Sequence, residues 1–237
     1  MYTNINLSVV IPCYNEAKTI VDVVNKVNLQ TGISFLNKIE IIVVDDGSID
    51  NSVSLLKEIN LSNLKIIEHE KNKGKGAALI TGFKESTGDI ILIQDADKEY
   101  NPNDFKKLLS VYTTTEADVV YGSRFLGSSE YTRLHFFYHF LANKILTFIC
   151  NLFTNLNMTD METGYKTFKK SFIEKIILKE KSFGIEPELT IKLAKTKAKF
   201  FEVAISYNGR SYEEGKKIGL KDAFVAIYCI FKYSLFK

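Results

Sequence analysis

The chain has 237 residues, of which 46% are hydrophobic and 25% are charged, and only 3 are prolines. This composition is ordinary for a folded globular protein, and its net charge of +3 is too small to indicate nucleic-acid binding. The three cysteines, Cys13, Cys150 and Cys229, are far apart and lack metal-ligand spacing, which indicates reduced thiols in a cytosolic protein.

Apolar runs alternate with amphipathic segments through the first half of the chain. We predict strands at residues 7–12, 39–44, 64–68, 89–94 and 118–121. Between them we predict helices at 17–29, from Asp50 as cap to about residue 59, at 76–85 and at 102–112. Strands and helices that alternate over short connections form a mostly parallel sheet that is covered on both faces. The predicted fold class is therefore α/β.

The pattern becomes mainly helical after Gly122. We predict a long aromatic helix over 134–153, a turn at Thr163 and Gly164, helices near 171–178 and 187–197, a strand at 199–206 and an apolar helix over 223–236. No flexible linker separates the halves, so we predict one domain over 1–237 with a helical C-terminal extension. Polar residues interrupt the first apolar helix and the second is too short, so neither is expected to span a membrane, although both suit an interface.

Charge is distributed unevenly along the chain. Residues 1–164 carry 15 Lys and Arg against 20 Asp and Glu, a net −5, whereas residues 165–237 carry 16 against 8, a net +8. The basic C-terminal third indicates an anionic partner, such as a phosphate group or an acidic membrane surface, or else a solvated lysine-rich face. The N-terminus shows no secretory signal pattern.

Carboxylates follow two of the buried strands. Asp45 and Asp46 come after the second strand, and Asp95 and Asp97 come after the fourth with Asp-x-Asp spacing. Parallel sheets bind ligands beyond the carboxyl ends of their strands. Two hard oxygen ligands there suit a divalent cation that also grips phosphates, and a solvated acidic turn is the alternative.

Four segments in the first half carry a family resemblance: VIPCYNE (10–16), VVDDGS (43–48), GKG (74–76) and QDAD (94–97). In this order they resemble the family 2 glycosyltransferases, which have the GT-A nucleotide-sugar fold. GSR (122–124), DMETGYK (160–166), FGIEPE (183–188) and RSYEEGKKI (210–218) are similar to the branch of polyprenyl-phosphate sugar synthases, which includes dolichyl-phosphate mannosyl- and glucosyltransferases. The similarity covers nearly the whole chain.

The resemblance implies a nucleotide-sugar site in residues 1–124 and an acceptor- and membrane-facing half in 125–237. The implied nucleotide-sugar residues are Pro12, Tyr14, Glu16, Val44, Asp45, Asp46, Gly76, Asp95 and Ala96. The implied ligands of Mg²⁺ or Mn²⁺ are Asp95, Asp97 and Glu99. Asp45 or Asp46 can instead brace the turn before Gly47. The lysine-rich stretch around Gly74 and Gly76 is either a helix start that faces the substrate or a surface turn.

The resemblance also implies an acceptor site that binds phosphate through Arg124, Arg210 and Lys216, with Asp97 and Arg124 as catalytic residues. Structural salt bridging is the alternative for each cation. A polyprenyl phosphate brings its own anionic oxygen and needs no general base, so we predict inverting hexosyl transfer from a nucleotide sugar at the cytoplasmic membrane face.

The sequence is also compatible with two other functions. A glycosyltransferase that acts on a saccharide hydroxyl would need a base, for which Asp160 or Glu162 is available. A nucleotide-sugar-binding subunit without catalysis would need no acceptor-phosphate residues. The donor, GDP-mannose or a UDP-sugar such as UDP-glucose, is not fixed by the sequence.

Overall fold

The computed structural model describes residues 2–127, 137–209 and 220–236. Its seven described strands form one sheet in the order β3-β2-β1-β4-β6-β5-β7. The strands are β1 (Ile5–Cys13), β2 (Leu36–Asp45), β3 (Leu64–Glu68), β4 (Ile90–Ile93), β5 (Val119–Ser123), β6 (Lys166–Lys169) and β7 (Phe200–Ala204). The α-helices are α1 (Ile20–Asn28), α2 (Ser52–Lys57), α3 (Lys75–Glu85), α4 (Phe105–Thr114), α5 (Phe137–Thr154), α6 (Lys170–Ile173), α7 (Ile185–Lys195) and α8 (Leu220–Leu235).

The central strands are buried on both faces. Every residue of β4 is buried, and the inner parts of β1 and β2 are continuous runs of buried valine and isoleucine. One core lies between the sheet and α1, α2 and α4, and a second lies between the sheet and α3, α5, α7 and α8. The predicted α/β architecture with helices on both faces is therefore confirmed.

Strand β6 was not predicted. It is antiparallel to both β4 and β5, so the sheet is mixed although mostly parallel. Its sequence, Lys-Thr-Phe-Lys, is short and has a lysine at each end, a pattern that does not indicate a buried strand. Lys166 is nevertheless fully buried, because its ammonium pairs with Glu186.

The predicted helix near 171–178 is wrong in its extent. Helix α6 ends at Ile173, and irregular structure follows as far as α7. No helix in the described parts of the chain combines the length and apolarity needed to cross a bilayer. The division of the chain into two functional halves stays a prediction.

Candidate active site at the carboxyl ends of the strands

Asp95, which follows β4, is paired with the lysine of the GKG segment, a partner that the sequence did not predict for it. Lys75, the first residue of α3, places its Nζ 2.8 Å from Oδ1 of Asp95 and 3.2 Å from Oε1 of Glu186. Burial would lower the pKa of Lys75, but the two carboxylates raise it above its ordinary value. The lysine is therefore charged, and its side chain is only 18% exposed, which rules out the surface-turn alternative for this residue.

Gly74 and Gly76 let another part of the chain reach the start of α3. A Cβ on Gly76 would lie 2.4 Å from the carbonyl oxygen of Glu180, and one on Gly74 would lie 2.3 Å from that of Lys181. The N–H of Ala77 also donates to the carbonyl oxygen of Lys181 at 3.1 Å. The close approach that Gly76 permits is thus made by the protein's own backbone, and its nucleotide contact stays a prediction.

The three predicted metal ligands do not converge. The Glu99 carboxylate accepts a hydrogen bond from the Tyr207 hydroxyl at 2.7 Å, and Oδ1 of Asp97 accepts one from the Glu99 N–H at 3.0 Å. Among residues 2–127, 137–209 and 220–236, no three histidine, cysteine or acidic side chains are grouped so that they could hold a metal ion. The three-carboxylate set with Glu99 is therefore not formed. Asp95 is a carboxylate, the kind of ligand that Mg²⁺ and Mn²⁺ prefer, and it is paired with the Lys75 ammonium, with which a bound metal ion would share it.

Asp45 and Asp46 have different tasks at the end of β2. Oδ2 of Asp45 accepts from the N–H groups of Gly47 and Ser48, at 3.1 and 2.9 Å, so Asp45 is the residue that braces the turn. Its Oδ1 is buried with no hydrogen-bond partner in the described structure. Asp46 accepts from the N–H of Gly74 at 2.6 Å and contacts the His69 ring at 2.7 Å, so it ties β2 to the loop before α3.

The other predicted nucleotide residues lie around the ends of β1, β2 and β4. Pro12 and Val44 are neighbours in the register of β1 and β2, and Tyr14 follows with 36% exposure. The Glu16 carboxylate accepts from the Thr19 hydroxyl at the start of α1. Ala96 is buried between the two aspartates of the Asp-x-Asp segment. These positions place the predicted residues along one edge of the sheet, as the sequence indicates.

Arg124, just beyond β5, forms a bidentate ion pair with Asp160. Nε and Nη2 of Arg124 each lie 2.7 Å from an oxygen of Asp160, and Asn143 of α5 donates to the same carboxylate at 3.1 Å. Burial would raise the pKa of Asp160, but the Arg124 charge and these hydrogen bonds hold it below its ordinary value. Asp160 is therefore an ionised partner of Arg124 and not a free general base, and salt bridging, the alternative considered for Arg124, is observed.

Glu162 is a half-buried residue whose carboxyl group lies near other charges. Its Oε1 is buried and has no hydrogen-bond partner in the part of the chain that the structure describes. Burial, followed by the charge of Glu186, raises its pKa to about 7. Lys166 donates to the carbonyl oxygen of Thr163 and pairs with Glu186, so its ammonium makes its contacts inside the protein.

Arg210 and Lys216, the predicted acceptor-phosphate residues, lie outside the described residues. Their placement in the site stays a prediction.

Comparison with known proteins defines the family. The model of glycosyl transferase family 2 matches residues 8–177, which is more than half of the chain. The chain belongs to glycosyl transferase family 2 and is a glycosyltransferase. Its fold agrees with that of glucosyl-3-phosphoglycerate synthase from Mycobacterium tuberculosis, solved with Mn²⁺, UDP and phosphoglyceric acid: the TM-score is 0.73 at 18% identity, over 97% of this chain and 78% of that one. The predicted GT-A fold is thereby confirmed.

Two curated relatives carry the branch prediction. The chain is 32% identical to a UDP-N-acetylglucosamine–dolichyl-phosphate N-acetylglucosaminyltransferase of Methanococcus voltae, over 92% of each chain. It is 29% identical to a dolichol-phosphate mannosyltransferase of Pyrococcus furiosus, over 90% of this chain and 60% of that protein. The predicted similarity to polyprenyl-phosphate sugar transferases is confirmed by these relatives.

Proposed function

We propose that this glycosyltransferase moves a hexosyl group from a nucleotide sugar to a polyprenyl phosphate, with inversion and with a divalent metal ion. The position of α5 is the observation that supports a polyprenyl phosphate as the acceptor. Its inward residue Asn143 hydrogen-bonds Asp160, which holds Arg124, while its outward residues are aromatic and exposed. An apolar surface therefore adjoins a site cation, which suits a lipid with an anionic head group.

The donor would lie over the carboxyl ends of β1, β2 and β4. This proposal is supported by the positions of five predicted residues around that edge, which are Pro12, Tyr14, Glu16, Asp45 and Asp46. The unpartnered Oδ1 of Asp45 leaves an acceptor that a base or ribose donor can satisfy. The comparison structure with Mn²⁺ and UDP supports a nucleoside diphosphate here.

Asp95 and Asp97 would hold a divalent ion together with the diphosphate. A bound Mg²⁺ or Mn²⁺ would neutralise charge on the departing nucleoside diphosphate. Lys75 contributes a second positive charge beside Asp95. The solved relatives include complexes with Mn²⁺ and with Mg²⁺, which supports the metal without choosing between the two.

The chemistry is a single displacement at the anomeric carbon. A phosphate oxygen of the acceptor forms the new bond, the bond to the nucleoside diphosphate breaks, and the configuration inverts. The acceptor phosphate has a second pKa of about 6, so it attacks as an anion and no protein base is required. Arg124 is proposed to orient that phosphate, either through Nη1, which its hydrogen bonds to Asp160 do not use, or by exchanging part of its contact with Asp160.

A donor panel tests this function. UDP-glucose, GDP-mannose and UDP-N-acetylglucosamine are each incubated with the enzyme, a short polyprenyl phosphate and Mn²⁺ or Mg²⁺, and lipid-linked sugar is measured. We expect one donor to be used, with activity lost in excess chelator. Transfer from every accepted donor to soluble saccharides alone, with none to the lipid phosphate, would contradict the proposal.

One observation favours the saccharide-hydroxyl alternative. A half-buried Glu162 with a pKa of about 7 has the properties of a general base, whereas Asp160, which is paired with Arg124, does not. The same panel, run with saccharide acceptors, separates this function from the leading one.

Helices α5 and α8 would form the membrane contact. The rings of Phe153 in α5 and Phe231 in α8 are 5.2 Å apart, so the two helices present a joint outer surface. Phe148 of α5 and Phe224 of α8 are 68% and 73% exposed on it. A large exposed apolar patch beside a site cation is typical of interfacial binding.

Charged substitutions on this surface should weaken membrane binding. The double variant Phe148→Glu/Phe224→Glu removes two exposed aromatic rings and adds two negative charges, so we expect at least about a tenfold loss of partition onto anionic phospholipid vesicles. Co-sedimentation measures it. Leu29→Glu, at a position that is 74% exposed away from these helices, is the matched control and should bind as wild type does. Equal binding by the double variant would exclude this surface.

A further inference from the structure

Glu162 belongs to a segment that contacts both the proposed donor site and the proposed acceptor site. Two residues before it, Asp160 holds Arg124 on the proposed acceptor side. Two residues after it, Gly164 lies against the donor side: a Cβ there would be 2.5 Å from Oδ2 of Asp95. The Gly164 N–H donates to the Tyr100 hydroxyl at 2.7 Å, which fixes the segment in this position.

A second connection runs from the same segment to the donor side through charged side chains. Lys166 pairs with Glu186, Glu186 lies 3.2 Å from Lys75, and Lys75 lies 2.8 Å from Asp95. Glu162 interacts electrostatically with Glu186 and Lys166 on this side and with Arg124 and Asp160 on the other. It therefore lies between the carboxylate proposed to hold the leaving group and the cation proposed to hold the nucleophile. A sugar that passes from the proposed donor to the proposed acceptor would occupy that interval.

The carboxyl group of Glu162 has unused hydrogen-bonding capacity. The residue as a whole is partly exposed, but Oε1 is buried and has no partner in the described structure. Its charged neighbours do not satisfy it in the way that Arg124 satisfies Asp160. An unsatisfied buried acceptor is costly. Because the residue is partly exposed, rotation of its side chain can bring the carboxylate to the hydroxyl donor of a bound ligand, which removes that cost.

We propose that Glu162 is a specificity-determining residue whose carboxylate accepts a hydrogen bond from a hydroxyl group of the transferred sugar. This inference rests on the proposed nucleotide-sugar donor and assigns the subsite of its sugar. A site built to bind a sugar hydroxyl discriminates strongly against ligands that lack the sugar, because its acceptor is then left unpaired. Glu162 contributes little to binding of the nucleoside diphosphate, which the carboxyl ends of β1, β2 and β4 would hold.

The test compares binding of a nucleotide sugar with binding of its nucleoside diphosphate. UDP-glucose, UDP-N-acetylglucosamine and GDP-mannose are titrated calorimetrically with Mn²⁺ against UDP and GDP, using wild type, Glu162→Leu and Glu162→Gln. We expect Glu162→Leu to weaken binding of the accepted nucleotide sugar by about 10- to 100-fold and binding of the diphosphate by less than about twofold. Glu162→Gln keeps a carbonyl acceptor, so it should retain most of the sugar affinity and turnover. Glu174→Gln, an exposed surface change, is the control.

Several outcomes would overturn this role. One is a nucleotide sugar that loses no affinity relative to its diphosphate in Glu162→Leu. Another is Glu162→Gln with normal sugar affinity but no turnover, which would make Glu162 a general base. Unchanged diphosphate binding shows that a variant is folded, and if Glu162→Leu does not fold, the same comparison of sugar and diphosphate affinity is made with Glu162→Ala. A wild-type enzyme that binds nucleotide sugars but ignores polyprenyl phosphate would contradict the proposed acceptor and leave the sugar subsite standing.

Discussion

Replacing Asp160 with alanine is expected to lower the free energy of unfolding by about 3–5 kcal/mol, because the change leaves the Arg124 guanidinium without its partner in the interior. Asp160 is fully buried and Arg124 is only 14% exposed, so water cannot replace the lost contacts. Asn143 would lose an acceptor as well. Urea unfolding followed by circular dichroism measures the difference.

The exposed ion pair between Glu116 and Lys199 is the matched control. Their side chains are 70% and 58% exposed, so Glu116→Ala should leave the urea midpoint of unfolding close to that of wild type. The double variant Arg124→Met/Asp160→Leu removes both charges and should be more stable than Asp160→Ala. A loss below about 1 kcal/mol in Asp160→Ala would show that the bidentate pair contributes little to the fold.

The first half of the fold was predictable because local pattern and burial agree there. The strand at Leu64–Glu68 has the predicted bounds, and β1, β2 and β4 coincide with continuous valine- and isoleucine-rich runs. Central parallel strands are buried on both faces, so their sequences are apolar throughout. Strand β6 gives no such signal, since its burial depends on a lysine whose partner, Glu186, is 20 residues away.

In the site, too, the local sequence predicts some features and contacts between distant residues determine the others. The strand ends identify Asp45, Asp46, Asp95 and Asp97 from sequence position alone. The partners of these residues come from other elements: His69 and the loop before α3 bind Asp46, and Lys75 binds Asp95. The contact of Glu99 has a similar origin, because Tyr207, which donates to that carboxylate, lies 108 residues away. The assignment of Glu99 as a metal ligand stays a prediction. Sequence spacing predicts which carboxylates follow the same strand. It does not predict which distant residues they contact.

These contacts lead to different expectations for two neighbouring carboxylates. Asp97→Asn should lower sugar transfer by roughly 100- to 1,000-fold, because an amide is a weaker ligand for a divalent ion beside the diphosphate. Glu99→Gln should stay within about threefold of wild type, because an amide oxygen can still accept from Tyr207. If Glu99 were a metal ligand, as the sequence resemblance implies, both substitutions would have similar large effects.

A measurement of metal binding shows whether a loss of activity in Asp97→Asn or Glu99→Gln comes from loss of the metal ion or from loss of structure. Calorimetric titration of Mn²⁺ in the presence of UDP or GDP should show weakened binding in Asp97→Asn and near wild-type binding in Glu99→Gln. Asp22→Asn changes an exposed aspartate that pairs with Lys26 and Lys98, so it should alter neither quantity. The distinction follows from geometry: Asp97 is 9% exposed in the Asp-x-Asp segment that follows β4, whereas the Glu99 carboxylate accepts a hydrogen bond from Tyr207. Full activity of Asp97→Asn would exclude the metal role, and loss of Mn²⁺ binding in Glu99→Gln would mean that ligand binding draws Glu99 away from Tyr207 to restore the three-carboxylate set.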